Sequence, residues 1–156
     1  MLNNENSSVL NNDILKYTLI EFKGKDIYAY KTPIADNRQQ FLYNIRQLYK
    51  DLKTNNMLKR IDEIGMFGIT EIKSEKNQVY YVGCENKFEN TEKITIIPNT
   101  YAVFNCNGNN QINIAPLVDK IYEYDFIFPN FKIDKSYCFE KYIDDTCYLY
   151  IKVNWK

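Results

Sequence analysis

The 156-residue sequence contains no histidine. That absence removes the commonest general base and excludes Ser-His and Cys-His nucleophile schemes outright. It also leaves any zinc site dependent on cysteine and carboxylate. The four cysteines, Cys84, Cys106, Cys138 and Cys147, lie far apart, with no close pair to begin such a site. Set inside strand-like runs, they read as buried free thiols in a reducing cytoplasm. No metal and no cofactor is expected. Net charge is missing too: 20 Lys and Arg balance 20 Asp and Glu, and no basic cluster stands out, which argues against a direct nucleic-acid binder. No apolar run is long enough to span a membrane, and the polar stretch Met1 to Asn12 lacks the basic flank and apolar core of a secretory signal.

What the sequence does carry is tyrosine, 14 of them, with nine phenylalanines, more than a core of this size needs. Tyrosine presents an apolar body with a polar tip. The length fits one domain. Residues 1–16, rich in Asn and with little periodicity, read as a flexible lead-in, too short for a DNA-binding helix-turn-helix module. Residues 17–156 then form the domain.

Along that domain the pattern is strand, helix, strand, strand, and the same again. The first strand, Ile27 to Lys31, follows a turn or bulge at Lys23 to Asp26 and stops at Pro33. Asp36 and Gln39 suggest a capping box for a helix whose apolar residues Phe41, Ile45, Leu48 and Leu52 recur at helical spacing, with Arg38, Asn44, Gln47 and Asp51 on its polar side. That helix ends or breaks near Asn55 and Asn56, and Met57 to Ile61 adds a short turn. Phe67–Ile72 and Val79–Glu85 read as a hairpin. The charged stretch Asn86 to Glu92 reads as a linker between halves spanning roughly 17–85 and 93–156. After it come Ile94–Ile97, a strand over Thr100–Cys106, a loop at Asn107–Asn110, and a second helix with Pro116 in its first turn that continues through Leu117, Ile121 and Tyr122. The expected fold is α+β: duplicated strand-helix-strand-strand modules, an antiparallel sheet with pseudo-two-fold symmetry, and a central cleft suited to a small molecule.

The closing hairpin, Tyr137 to Trp155, holds a carboxylate, Glu140, in the middle of an aromatic strand. Alternation puts Cys138, Glu140 and Tyr142 on one face and Tyr137, Phe139 and Lys141 on the other. Across the turn at Asp144, Asp145 and Thr146, Leu149, Ile151, Val153 and Trp155 form an apolar face, and Tyr148 and Tyr150 point the opposite way. Pairing across this turn is expected to set Glu140 on the face of Tyr148 and Tyr150. A carboxylate among phenol rings suits an organic cation, which both the ring quadrupole and the desolvated charge attract. Tyr28, Tyr30, Tyr101 and Phe104 are further candidates to line the cleft or to fill the core. Glu71 is the first-half counterpart of Glu140 and reads as a surface residue.

The run Ile97-Pro98-Asn99-Thr100-Tyr101-Ala102-Val103-Phe104, the helix leading to Phe126-Ile127-Phe128-Pro129, and Phe139-Glu140-Lys141-Tyr142 before a final strand Tyr148 to Val153 resemble the GyrI-like small-molecule-binding domain. This domain also forms the effector-binding part of MerR-type multidrug-responsive activators and of some AraC-type regulators. The resemblance covers roughly residues 17–155. It implies the duplicated fold and a pocket between the halves in which Glu140 lies, as family members hold lipophilic cations among aromatic rings there. The chain departs from the pattern at Asn105-Cys106-Asn107-Gly108, where a more basic loop is usual, at Tyr150, where tryptophan is common, and at Lys152, where proline is common.

Three readings follow. The first is a free-standing bacterial effector-binding domain that captures an amphipathic, cationic or aromatic small molecule through Glu140, Tyr142, Tyr148, Tyr150, Tyr101, Phe104, Tyr28 and Tyr30, and either sequesters it or serves transcription regulation through a protein partner. The second is a hydrolase of a reactive electrophile, with Glu140 orienting or deprotonating water and Tyr142 or Tyr150 bonding the developing anion. The third is a gyrase-directed or other protein-interaction module. The binding reading is preferred over the enzyme because one carboxylate without a visible second acid or base is thin catalytic equipment.

Overall fold

The computed structural model describes residues 16–106, 114–123, 129–144 and 146–156. The expected lead-in, the loop at Asn107–Asn110, the Phe126–Phe128 run and Asp145 of the last turn lie outside them. Eight described strands form one sheet, β1 (Thr18–Phe22), β2 (Lys25–Lys31), β3 (Met66–Ser74), β4 (Asn77–Cys84), β5 (Glu92–Ile96), β6 (Asn99–Asn105), β7 (Phe131–Ile143) and β8 (Thr146–Trp155). The described helices are α1 (Arg38–Thr54), α2 (Met57–Ile64) and α3 (Ile114–Glu123). The fold is α+β, and the sheet is a curled half-barrel.

The strand order is β1-β6-β8-β7-β3-β4-β2-β5, and every neighbouring pair runs antiparallel. The order β6-β8-β7 in one half repeats β2-β4-β3 in the other, and the halves join where β3 pairs β7. The sequence pattern had not revealed the exchange at the two edges. β1 crosses over to pair with β6, and β5 crosses back to pair with β2. Each half is therefore closed by a strand that precedes the other half in sequence.

Two cores result, one on each face of the sheet. Under the helices, Phe41, Ile45, Tyr49 and Leu52 of α1, Ile61 of α2 and Leu117, Val118 and Ile121 of α3 pack on Met66, Tyr80, Val82, Phe104, Leu149 and Ile151. On the other face Ile27, Ala29, Phe67, Ile69, Ile96, Tyr101, Tyr137 and Phe139 are buried without any described helix over them. They are dry because the sheet curls. Phe22 on the edge strand β1 reaches Phe139, three strands away in the sheet order, with ring centroids 5.2 Å apart. From the other edge, the amide of Ile97 bonds the Tyr137 hydroxyl. Burial of this aromatic content is the main force closing the half-barrel.

Local expectations shift by small amounts. The α1 N-cap is Asn37, whose side chain accepts from the Gln40 amide, not Asp36 with Gln39. Asn44, expected on the polar side of α1, is 6% exposed: it donates to the Pro33 carbonyl and accepts from Gln40, which satisfies the buried amide. The expected turn after Asn56 is a full helix, α2, entered through Asn56 in a left-handed conformation. Trp155 ends the apolar row of β8 beyond the core and is 59% exposed. No described helix is long and apolar enough to cross a membrane.

Candidate functional site

Glu140 lies in the middle of the helix-covered face and is 2% exposed. Its position follows from register. Ile143 pairs with Thr146, Asp144 after it is in the left-handed region, and this register sets Glu140 opposite Leu149. Directly opposed residues share a face, so Glu140 belongs with Leu149 rather than with Tyr148 and Tyr150. The expected grouping of Glu140 with those two tyrosines is thus corrected, because a pairing offset of one residue moves a whole strand's side chains to the other face. Tyr150 instead stacks on Phe139 inside the half-barrel, centroids 4.4 Å apart and rings 15° from parallel. Tyr101 packs edge-on to Phe139 on the same face, and Tyr148 is half-buried there by strand alternation.

The remaining candidates fall on the face of Glu140. One cross-sheet row runs Phe104, Leu149, Glu140, Gly68, Val82, Tyr30. At one strand spacing per step, Phe104 stands about 10 Å from Glu140 and Tyr30 about 14 Å, so neither is an immediate neighbour. Phe104 is fully buried core, and the Tyr30 hydroxyl donates to the Glu89 carbonyl. Tyr28 shares this face by alternation with the Ile27 and Ala29 side, further from the carboxylate. Tyr142, two residues along β7, does reach it, with its hydroxyl donating to Glu140 Oε1 at 3.3 Å.

The stronger partner was not foreseen. Tyr80 of β4 donates to Glu140 Oε1 at 2.6 Å, and its hydroxyl is 2.8 Å from that of Tyr49 on α1. Tyr80 belongs to the next row of the sheet and leans diagonally across β3, which is open to it only at Gly68. A Cβ on Gly68 would collide with the Tyr80 hydroxyl and stand 2.7 Å from Glu140 Oε1. A glycine inside a strand, the signature of close approach, was the signal available in the sequence. The Tyr80 backbone is pinned by Thr32, whose amide donates to the Tyr80 carbonyl and whose hydroxyl accepts from the Tyr80 amide.

Electrostatically the carboxylate is isolated. Burial raises its pKa from 4.5 to about 7, against the pull of the Tyr80 and Tyr142 hydrogen bonds. Both phenol contacts fall on Oε1, and Oε2 accepts no hydrogen bond among the described residues. No Lys or Arg pairs with Glu140 among them either. Burial, with the charge of Glu140 behind it, raises Tyr49, Tyr80 and Tyr142 above the usual phenol range, so all three stay protonated donors. Cys138, on the same face, is pushed to about 12 by the same two causes. All four cysteines are buried free thiols. No group of three described Cys, Asp or Glu residues is placed to hold a metal ion.

Glu71 is not a structural equivalent of Glu140. It pairs with Tyr137, whereas Glu140 pairs with Gly68 three residues away, so the two carboxylates face opposite sides of the sheet.

Above the site, at the junction of α1 and α2, a cavity of about 530 Å³ is lined by Lys53, Asn56, Leu58, Lys59, Asp62 and Met66. Met66 is its link to the carboxylate, since it pairs directly with Tyr142.

No family profile and no curated protein matches the sequence. Solved structures do match its fold. SAV2435, in a structure bound to tetraphenylphosphonium, is similar at a TM-score of 0.74 and 13% identity, over 90% of this chain and 94% of that one. A Staphylococcus aureus MU50 protein named for bacterial transcription regulation gives 0.73 and 14%, over 89% and 98%. The C-terminal domain of EcmrR gives 0.58 and 13%, over 89% and 97%. With its duplicated modules and curled antiparallel sheet, the chain has the fold of the GyrI-like effector-binding domains.

Proposed function

We propose that the protein is a small-molecule effector-binding domain that takes an amphipathic cation, with Glu140 as the counter-charge and Tyr80, Tyr142, Tyr49 and Phe41 as the surrounding ring surface. The observation that carries this reading is a carboxylate buried to 98%, bonded through one oxygen only and lacking a cationic partner among the described residues. An uncompensated buried charge costs several kcal/mol. A ligand cation supplies the missing pair, and the faces of the adjacent rings stabilise it further. The likeness in fold to a protein seen with tetraphenylphosphonium supports the same ligand class. A hydrolase would use the same carboxylate, but the phenols here are donors already engaged with each other and with Glu140, which favours holding charge over moving protons.

A thermal-shift titration with lipophilic phosphonium and quaternary ammonium ions at pH 8, each beside a neutral isostere, tests the reading. The midpoint is expected to rise with cation concentration and not with the isostere, and Glu140→Gln is expected to abolish the rise. Equal shifts from neutral and charged compounds would remove Glu140 from the account. Product formation during the incubation would restore the hydrolase.

A further inference from the structure

The cavity at the α1–α2 junction differs in character from the site beneath it. Its mouth carries two ammonium groups, Lys53 near the end of α1 and Lys59 in the first turn of α2, against one carboxylate, Asp62. Both lysines are exposed, and neither makes an ion pair among the described residues. Its floor is apolar, formed by the buried thioether of Met66 with Leu58 on the wall. The volume, about 530 Å³, is that of a drug-sized ligand site.

The floor borders the pair of strands that carries Glu140. Met66 and Tyr142 are directly opposed across β3 and β7, and Gly68 and Glu140 are the next opposed pair on that face, about 7 Å further along the strands. Of the two phenols on Glu140, Tyr142 makes the longer bond, 3.3 Å against 2.6 Å for Tyr80. A ligand entering from the cavity thus meets an unbranched, adaptable side chain and the weaker of the two hydrogen bonds.

A simple lipophilic cation taking this route passes two ammonium groups of its own sign. An acidic group at the trailing end converts that repulsion into attraction while the cationic head sits at Glu140. We infer that the preferred ligand is two-ended, a zwitterionic amphiphile whose cation pairs with Glu140 and whose carboxylate or similar anion rests between Lys53 and Lys59, with its apolar body against Met66 and Leu58. The inference rests on Glu140 being the counter-charge of the ligand.

The test compares butyltriphenylphosphonium with its carboxybutyl analogue by calorimetry at low ionic strength, on the unaltered protein, on Lys53→Gln/Lys59→Gln and on Glu140→Gln. The carboxylate is expected to tighten binding about tenfold on the unaltered protein, as two partly exposed ion pairs allow. That gain is expected to vanish in the double lysine variant and to shrink as salt is added, while butyltriphenylphosphonium binds the double variant at least as well as before. Because both lysines are exposed, the variant is expected to keep its fold, which its unchanged thermal midpoint verifies. Equal affinity for the two probes, or a carboxylate gain that survives loss of both lysines, overturns the two-ended ligand and leaves the role of Glu140 standing. Failure of both probes to bind the unaltered protein overturns both. Binding of both that is insensitive to Glu140→Gln overturns the counter-charge and with it the inference.

Discussion

Glu140 gives up its hydration on folding and regains two phenol hydrogen bonds, a balance that raises its pKa from 4.5 to about 7. The folded state therefore binds the proton more tightly than the unfolded chain. Stability from this group is fully present below about pH 4.5 and is lost as pH rises to about 7, after which the loss is constant. At pH 8 the charged carboxylate costs on the order of 3 kcal/mol relative to its neutral form. Glu140→Gln keeps an acceptor for Tyr80 without the charge. Urea denaturation at several pH values should find the variant near the parent at pH 4.5 and more stable by that order at pH 8. A difference independent of pH would mean that Glu140 is hydrated or already paired. Such a stability cost is what a binding site holds in reserve, because a ligand cation recovers it.

At the scale of single elements, the feature that makes the site is the bare stretch of β3 at Gly68. Tyr80 crosses there to reach Glu140, and Tyr49 ties the same hydroxyl to α1. Gly68→Ala inserts a methyl group into the Tyr80–Glu140 contact and should destabilise by about 1–3 kcal/mol, in the usual range for overpacking. The same change in a Tyr80→Phe background, where the hydroxyl it meets is gone, should cost less. A double-mutant cycle measures this coupling, and additive effects would show that the methyl is accommodated elsewhere. The α1–α2 junction is the other decisive element. Asn56 in the left-handed conformation breaks what would be one long helix, and the break opens the cavity between Lys53 and Lys59.

For the whole molecule, the exchange of β1 and β5 makes the halves interdependent. Among the described residues β1 pairs only with β6, and Phe22 on it contacts the rings of Tyr101, Phe139 and Tyr150 in the other half. Neither half can keep its edge strand without the other being folded. Urea unfolding followed by far-UV circular dichroism and by tyrosine fluorescence should give one coincident transition. Phe22→Ala should lower the midpoint of that single transition by about 2 kcal/mol equivalent, below the range for a fully buried ring because Phe22 is only partly buried. Two separated transitions would show that the halves fold independently and that the exchanged strands contribute little.

The amphipathic period of α1, the alternation of β8 and the placing of Cys138, Glu140 and Tyr142 on one face were legible in the sequence, because each depends only on residues a few positions apart. The strand-helix-strand-strand order of each half was equally legible, apart from the helix α2, whose sequence reads as a short turn, and so was the prominence of Glu140, a carboxylate in an aromatic strand. Tyr142 apart, the partners of Glu140 were not. Which face of β8 it shares depends on a register set across the turn between Ile143 and Thr146, and one residue of offset exchanges Tyr150 for Leu149. Its stronger phenol partner, Tyr80, and, one step beyond, Tyr49, come from 60 and 91 positions earlier in the chain. They are brought there by the β3–β7 pairing and by the lack of a side chain at Gly68. Local periodicity determined which elements form. Only strand pairing and packing between the two halves, which are properties of the whole chain, decided what surrounds the carboxylate.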